Sequence, residues 1–107
     1  MNPDFKIEEL KIGTGSEVKA GDTVVVHYTG WLTDGTQFDS SSNYGAVLTV
    51  GLSALVPGWV EGVFTMRVGG RRRLIIPANL AYGDRGLPPR IPPGATLIVD
   101  VELVSVP

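Results

Sequence analysis

One histidine, His27, and no cysteine leave this chain of 107 residues few means of covalent chemistry. A thiol–histidine pair is impossible. A Ser-His-Asp triad would have to recruit His27 from the middle of an extended stretch, with no Gly-x-Ser-x-Gly turn to present a serine. His27 therefore reads as a hydrogen-bonded strand histidine. No spaced His or carboxylate cluster offers a metal its ligands. GTGSEV at 13–18 begins like a dinucleotide loop but lacks the third glycine and the long helix that follows one, so it reads as a turn. What remains is aromatic: Trp59, Tyr28, Phe38 and Tyr82 lie on separate segments, along with Val56 and Ile91. A sealed core accommodates all of them. Tyr and Trp also carry a polar group that needs a partner when buried, which suits the rim of an apolar cavity. Asp39, directly after Phe38, is either a turn-capping residue at the head of DSSS or a carboxylate held by a partner at such a rim.

Periodicity indicates the elements that must position these residues. FKIEELKI (5–12) reads as a first strand closed by Gly13-Thr14-Gly15. TVVVHYTGW (23–31) sets Val24, Val26 and Tyr28 on one face and Val25, His27 and Thr29 on the other. Asp34-Gly35 signals a hairpin that returns through Gln37-Phe38. Short strands are expected at 46–50 and 71–76, the second with Arg72, Leu74 and Ile76 on one face. A last strand at 96–106 points Leu97, Val99, Val101 and Leu103 inward, with Asp100 and Glu102 outward. Pro57 suits the first position of the one helix, where its missing N–H costs nothing. Trp59 and Val63, like Val60 and Phe64, are spaced i, i+4, and Gly69-Gly70 is expected to end the segment. Five or six antiparallel strands against one short helix make an α+β fold.

Composition sets the bounds. A hydrophobic content of 43% supports one core, and the length suits a single domain over 1–107. Fourteen glycines and eight prolines imply many tight turns between short strands. Four of those prolines fall in Pro88-Pro89 and Pro92-Pro93, just after Tyr82-Gly83. A net charge of −2 argues against a nucleic-acid surface, and Arg71-Arg72-Arg73 reads as a solvated or cross-strand-paired part of a strand. No apolar stretch is long enough to span a membrane, and the N-terminus is unlike a signal peptide, so a cytoplasmic location is expected.

The segments VVVHYTGWLTDGTQFDSSS, VPGWVEGV, MRVGGRRRLIIP, LAYGDRG and IPPGATLIVDVELVSV occur in an order that resembles the FKBP-type peptidyl-prolyl cis-trans isomerases. The likeness runs from about Ile12 to Val106, and the motifs are specific jointly rather than singly. It implies a half-barrel of antiparallel strands around a short helix, with a shallow apolar pocket for a proline ring. It implies Trp59 as the pocket floor, with Tyr28, Phe38 and Ile91 as walls. Leu55 and Val56 then precede the helix, the Val56 N–H holding a carbonyl. Tyr82 donates its hydroxyl to a bound carbonyl, and Asp39 is the pocket carboxylate. Catalysis by these residues needs no cofactor or metal. The implied partners are proline-containing peptides, unfolded proteins and macrolides of the rapamycin type, and a monomer is expected. Three positions depart from the pattern. The segment from Asp39 to Gly51 is about two residues short, Ala46 or Val47 stands where many members have a pocket aromatic, and Val99 stands where Phe is frequent. The pocket should be wider for it, and macrolides held less tightly. Leu87, apolar at the loop tip, is a further candidate contact for a substrate or partner. The alternatives are a non-catalytic module of the same fold that binds partners through the loop around Leu87–Arg90, and an unrelated small β-protein.

Overall fold

The alternating stretch Thr23–Leu32 forms β2, the longest strand and the hub of the sheet. The computed structural model describes residues 4–41 and 47–107. Within them β2 joins β1 (Lys6–Lys11), β3 (Gln37–Ser40), β4 (Leu48–Gly51), β5 (Arg71–Ile76) and β6 (Leu97–Ser105) in one antiparallel sheet. The order is β1-β5-β6-β2-β3, and β4 pairs with Thr23–Val26, the part of β2 that β3 does not reach. With the helix α1 (Pro57–Val63), this is the expected α+β arrangement at the upper end of the expected strand count. The strand expected at 46–50 is observed at Leu48–Gly51, starting two residues later and ending one later. Residue 46 lies outside the described residues.

Alternation along β6 behaves as expected: Leu97, Val99, Val101 and Leu103 are buried and Glu102 is exposed. Asp100 faces Arg73 across the β5–β6 ladder and receives two hydrogen bonds from it, at 2.7 and 3.0 Å. Those bonds, with the attraction between the charges, raise the guanidinium's pKa further above its ordinary value. In the β2–β3 hairpin, Asp34 Oδ1 accepts the Thr36 N–H at 2.8 Å, which holds the Asp34 carboxyl below its usual range.

The helix lies against β5 more closely than a side-chain-covered helix can. Its buried residues are Gly58, Trp59, Gly62 and Val63. A Cβ on Gly58 would overlap Ile76 Cγ2, and one on Gly62 would overlap Leu74 Cδ1. Backbone therefore packs directly on two fully buried β5 side chains, and Trp59 and Val63 enter the core on either side. The second apolar pair lies on the outer flank, where Phe64 is 43% exposed.

The helix stops at Val63, well short of Gly69-Gly70. Thr65 takes φ +72°, and Arg72 supplies the missing donors: its Nη1 gives hydrogen bonds to the carbonyls of Gly62 (3.1 Å) and Phe64 (3.0 Å). The same guanidinium pairs with Glu9 of β1 at 3.0 and 3.2 Å. Arg72 is thus the inward end of the Arg72-Leu74-Ile76 face, bound to the helix C-terminus instead of solvated. Beyond the turn, Met66 is buried, and the backbones of Arg67 and Glu17 pair in an isolated antiparallel β-bridge.

Replacing an exposed helical glycine by alanine ordinarily stabilises a helix. Gly62→Ala should do the reverse here, lowering the unfolding free energy by about 1–3 kcal/mol, the usual cost of overpacking. Urea unfolding checks this, and an unchanged or raised midpoint would contradict the close packing.

Candidate functional site

A β-bulge shapes the mouth of an apolar cavity beside the helix. Gly30 pairs with Asp39 and Trp31 with Gln37, so Phe38 is the extra residue in β3. Strict alternation would send Phe38 and Asp39 to opposite faces. With the bulge, both line one cavity, as bulges commonly re-aim a side chain. Gly30 makes room: a Cβ there would overlap the Phe38 ring.

The cavity holds about 270 Å³ and is lined mainly by apolar groups, from β2 and β3, from Leu48, Val99 and Leu97, and from the Ala54–Val56 approach to the helix. Trp59 is its most buried aromatic, 9% exposed, and meets the Tyr28 ring edge-on with centroids 5.5 Å apart and planes at 81°. The Tyr28 hydroxyl donates to Asp39 Oδ2 at 2.9 Å, and Asp39 Oδ1 accepts the Ser40 N–H at 2.9 Å. Of the two readings of Asp39, the geometry matches a carboxylate held at the rim by a partner, Tyr28; its bond to the Ser40 N–H lies within β3. Arg90 Nη1 stands 3.9 Å from Asp39 Oδ1.

Two further lining residues carry unengaged polar groups. Tyr82 lines the cavity, and among the described residues its hydroxyl has no hydrogen-bond partner. Val56 is the N-cap of α1; its carbonyl accepts from Trp59 and Val60, while its own N–H makes no backbone hydrogen bond among the described residues. These are two candidate donors for a carbonyl-bearing ligand, beside mainly apolar walls and the Asp39 carboxylate.

The proline-rich loop is a small hairpin. Leu87 and Ile91 exchange both backbone hydrogen bonds, at 2.8 and 3.0 Å, and Gly94 donates to the Gly83 carbonyl at 2.9 Å. Pro88 and Pro89 sit inside the tip and Pro92 and Pro93 on the return, where a fixed φ restricts the unfolded chain. Ile91 is 2% exposed; it pins the loop into the core and does not line the cavity. Leu87 is 50% exposed at the tip, also outside the lining. The structure thus gathers Tyr28, Phe38, Asp39, Leu55, Val56, Trp59, Tyr82 and Val99 around one space and leaves Leu87 and Ile91 beside it. Of the two positions lacking an aromatic wall, Val99 lines the cavity, Val47 is exposed outside it, and Ala46 falls outside the described residues.

Sequence reasoning did not anticipate Gly30, Leu48, Ala54, Leu97 or the Arg90–Asp39 pair. Only Gly30 carried a signal, as a glycine interrupting a β-branched and aromatic strand. A more polar groove of about 280 Å³ opens on the outer face of the sheet around His27, Thr29, Trp31 and Glu102. His27 Nδ1 lies 3.3 Å from Ser41 Oγ there. Ser41 is buried, however, and its hydroxyl is engaged by the Tyr28 N–H at 3.0 Å and the Tyr28 carbonyl at 3.3 Å. That pairing ties a loop to β2 and presents no nucleophile.

Comparison with known proteins concurs with this geometry. Residues 14–104 match the family model described as FKBP-type peptidyl-prolyl cis-trans isomerase. The chain is 53% identical over 101 residues to "FK506-binding protein 4" of Dictyostelium discoideum, covering 94% of this chain but 28% of that protein. It is 48% identical over 102 residues to an "FK506-binding protein" of Neisseria meningitidis serogroup A, covering 94% of both. Its fold superposes on crystalline FkpA from Escherichia coli with a TM-score of 0.90 at 44% identity, over 95% of this chain and 47% of that one.

Proposed function

The chain belongs to the FKBP-type peptidyl-prolyl cis-trans isomerase family, and we propose that its apolar cavity receives the ring of a proline and accelerates rotation about the preceding peptide bond. The observation that carries this reading is the cavity itself: mainly apolar walls around Trp59, with Tyr82 and Val56 among the lining residues and neither the Tyr82 hydroxyl nor the Val56 N–H engaged among the described residues.

Rotation about an X-Pro bond meets a barrier of about 18–20 kcal/mol because resonance keeps the amide planar. Uncatalysed, it takes tens to hundreds of seconds. Millisecond turnover needs a factor of roughly 10⁵, or about 7 kcal/mol off the barrier. Twisting removes the resonance, leaving the carbonyl oxygen less negative and the nitrogen pyramidal, so the twisted amide is less strongly hydrated than the planar one. An apolar cavity penalises the planar form more, which is preferential binding of the transition state. Tyr82 and Val56 hold carbonyls flanking the bond, so one side of it is fixed while the other turns. Asp39, held by Tyr28, fixes the rim. No step moves a proton, and His27 has no part in it.

The substrates in this reading are proline-containing peptides and unfolded chains. Two relatives are named for binding FK506, and we extend that to this cavity: a macrolide of the rapamycin type presents the same carbonyl-bearing ring to the same donors. Without aromatics at Val99 and at the 46–47 position, contact area is lost.

Tyr82→Phe should lower kcat/KM for a Leu-Pro tetrapeptide by about two- to twelvefold, the worth of one neutral hydrogen bond. Protease-coupled cis-to-trans exchange on the folded variant checks it. A folded wild type that does not accelerate exchange would overturn the isomerase reading in favour of the binding module. Rapamycin should bind more weakly than to a family member carrying both aromatics, and equal or tighter affinity in parallel titrations would contradict the wider cavity.

A further inference from the structure

We infer that Gly30 is a positioning residue of the isomerase site: the space left by its missing side chain seats the Phe38 ring and so sets the width of the cavity. The inference rests on the isomerase reading and deepens it. A glycine inside a strand weakens it, and this one lies in the hub strand β2. Conformation does not call for it, because Gly30 is not among the glycines with a left-handed backbone. Space does. The three heavy atoms nearest a Cβ placed on Gly30 all belong to the Phe38 ring: Cζ, which it would overlap, Cε2 at 2.8 Å and Cε1 at 3.0 Å. None is a backbone atom, unlike at Gly13 or Gly86, where a Cβ would run into carbonyl oxygens.

The sheet register shows how the ring comes to lie there. Gly30 pairs with Asp39 on one side and Val99 on the other, and all three line the cavity. The bulge takes Phe38 out of this ladder, and its ring rests against the bare Gly30 backbone. β3 has little freedom to answer a methyl group added at position 30. Asp39 Oδ2 accepts the Tyr28 hydroxyl at 2.9 Å, and Ser40 Oγ lies 3.0 Å from Thr29 Oγ1. Phe38 is only partly buried, so its ring yields rather than the strand. A displaced ring alters one wall of the cavity while Asp39 and the sheet stay in place.

Leucine lacks Cε1, Cε2 and Cζ, the atoms in the way, and this supplies the test. Wild type, Gly30→Ala, Phe38→Leu and the double variant are compared, as folded proteins, in kcat/KM for one Leu-Pro tetrapeptide. The readout is the fold-loss that Gly30→Ala causes in each background. With Phe38 intact the loss should exceed that in the Phe38→Leu background by about threefold or more, a coupling usual for side chains in contact. A glycine needed only for the backbone of β2 would give the same loss in both, and equal losses would overturn the inference. If Gly30→Ala does not fold, the double variant decides: recovery of folding upholds the inference and continued unfolding overturns it. If wild type accelerates nothing, the isomerase reading fails instead. The seat is then read without turnover, from the Trp59 indole N–H and Leu48 methyl resonances, which belong to the cavity but to no sheet neighbour of Gly30. Gly30→Ala should shift them more with Phe38 intact than in the Phe38→Leu background, and equal shifts would overturn the inference.

Discussion

Direct contact between the backbone of α1 and the side chains of β5 is the constraint on which the site depends. Gly58 and Gly62, one turn apart, leave the helix no side chain toward Ile76 and Leu74, so the helix sinks onto the sheet. Trp59, between them in sequence, is carried deep enough for its ring to meet Tyr28. Tyr28 in turn holds Asp39, and Asp39 faces the loop through Arg90. Arg72 completes the seating by satisfying the helix's last carbonyls and tying that end to Glu9 on the edge strand. A seven-residue helix has little stability of its own, so packing and this cap hold it in place.

The chemistry requires shape and dryness more than reactive groups. An enclosure of apolar walls acts on an amide by how it solvates the planar and twisted forms. Donors placed at its edge then choose which carbonyls are held. The β3 bulge matters here because it turns two consecutive residues, Phe38 and Asp39, toward the same space, one as wall and one as anchor for Tyr28. The prolines of the loop serve the same end, since a loop that is already stiff loses little freedom when a substrate arrives.

Much of this was legible in the residues. Alternation placed β2 and β6 within a residue at each end, because one face of each is buried and the other is not. Pro57 marked the helix start. The helix ends before Gly69-Gly70, the stronger local signal, because the left-handed backbone at Thr65 has a tertiary partner in Arg72. The strand order was not legible from pattern: β1 pairs with β5 some sixty residues away, and nothing local specifies such a contact. Composition and pattern alone left the aromatics divided between core and cavity. The ordered motifs, read as a family resemblance, identified which of them share a space. Ile91, a wall residue by that resemblance, is buried at 2% exposure and bonds Leu87 across the loop, outside the lining of the cavity.

In this mechanism an apolar enclosure lowers the barrier without proton transfer. The direct measurement is kcat/KM for one Leu-Pro tetrapeptide in H₂O and in D₂O under otherwise matched conditions. Equal rates in the two solvents are predicted, because no O–H or N–H bond is broken in the step that limits rotation. A clear slowing in D₂O would contradict the account and require a proton in flight, and with it a general acid or base that the cavity as described does not assign.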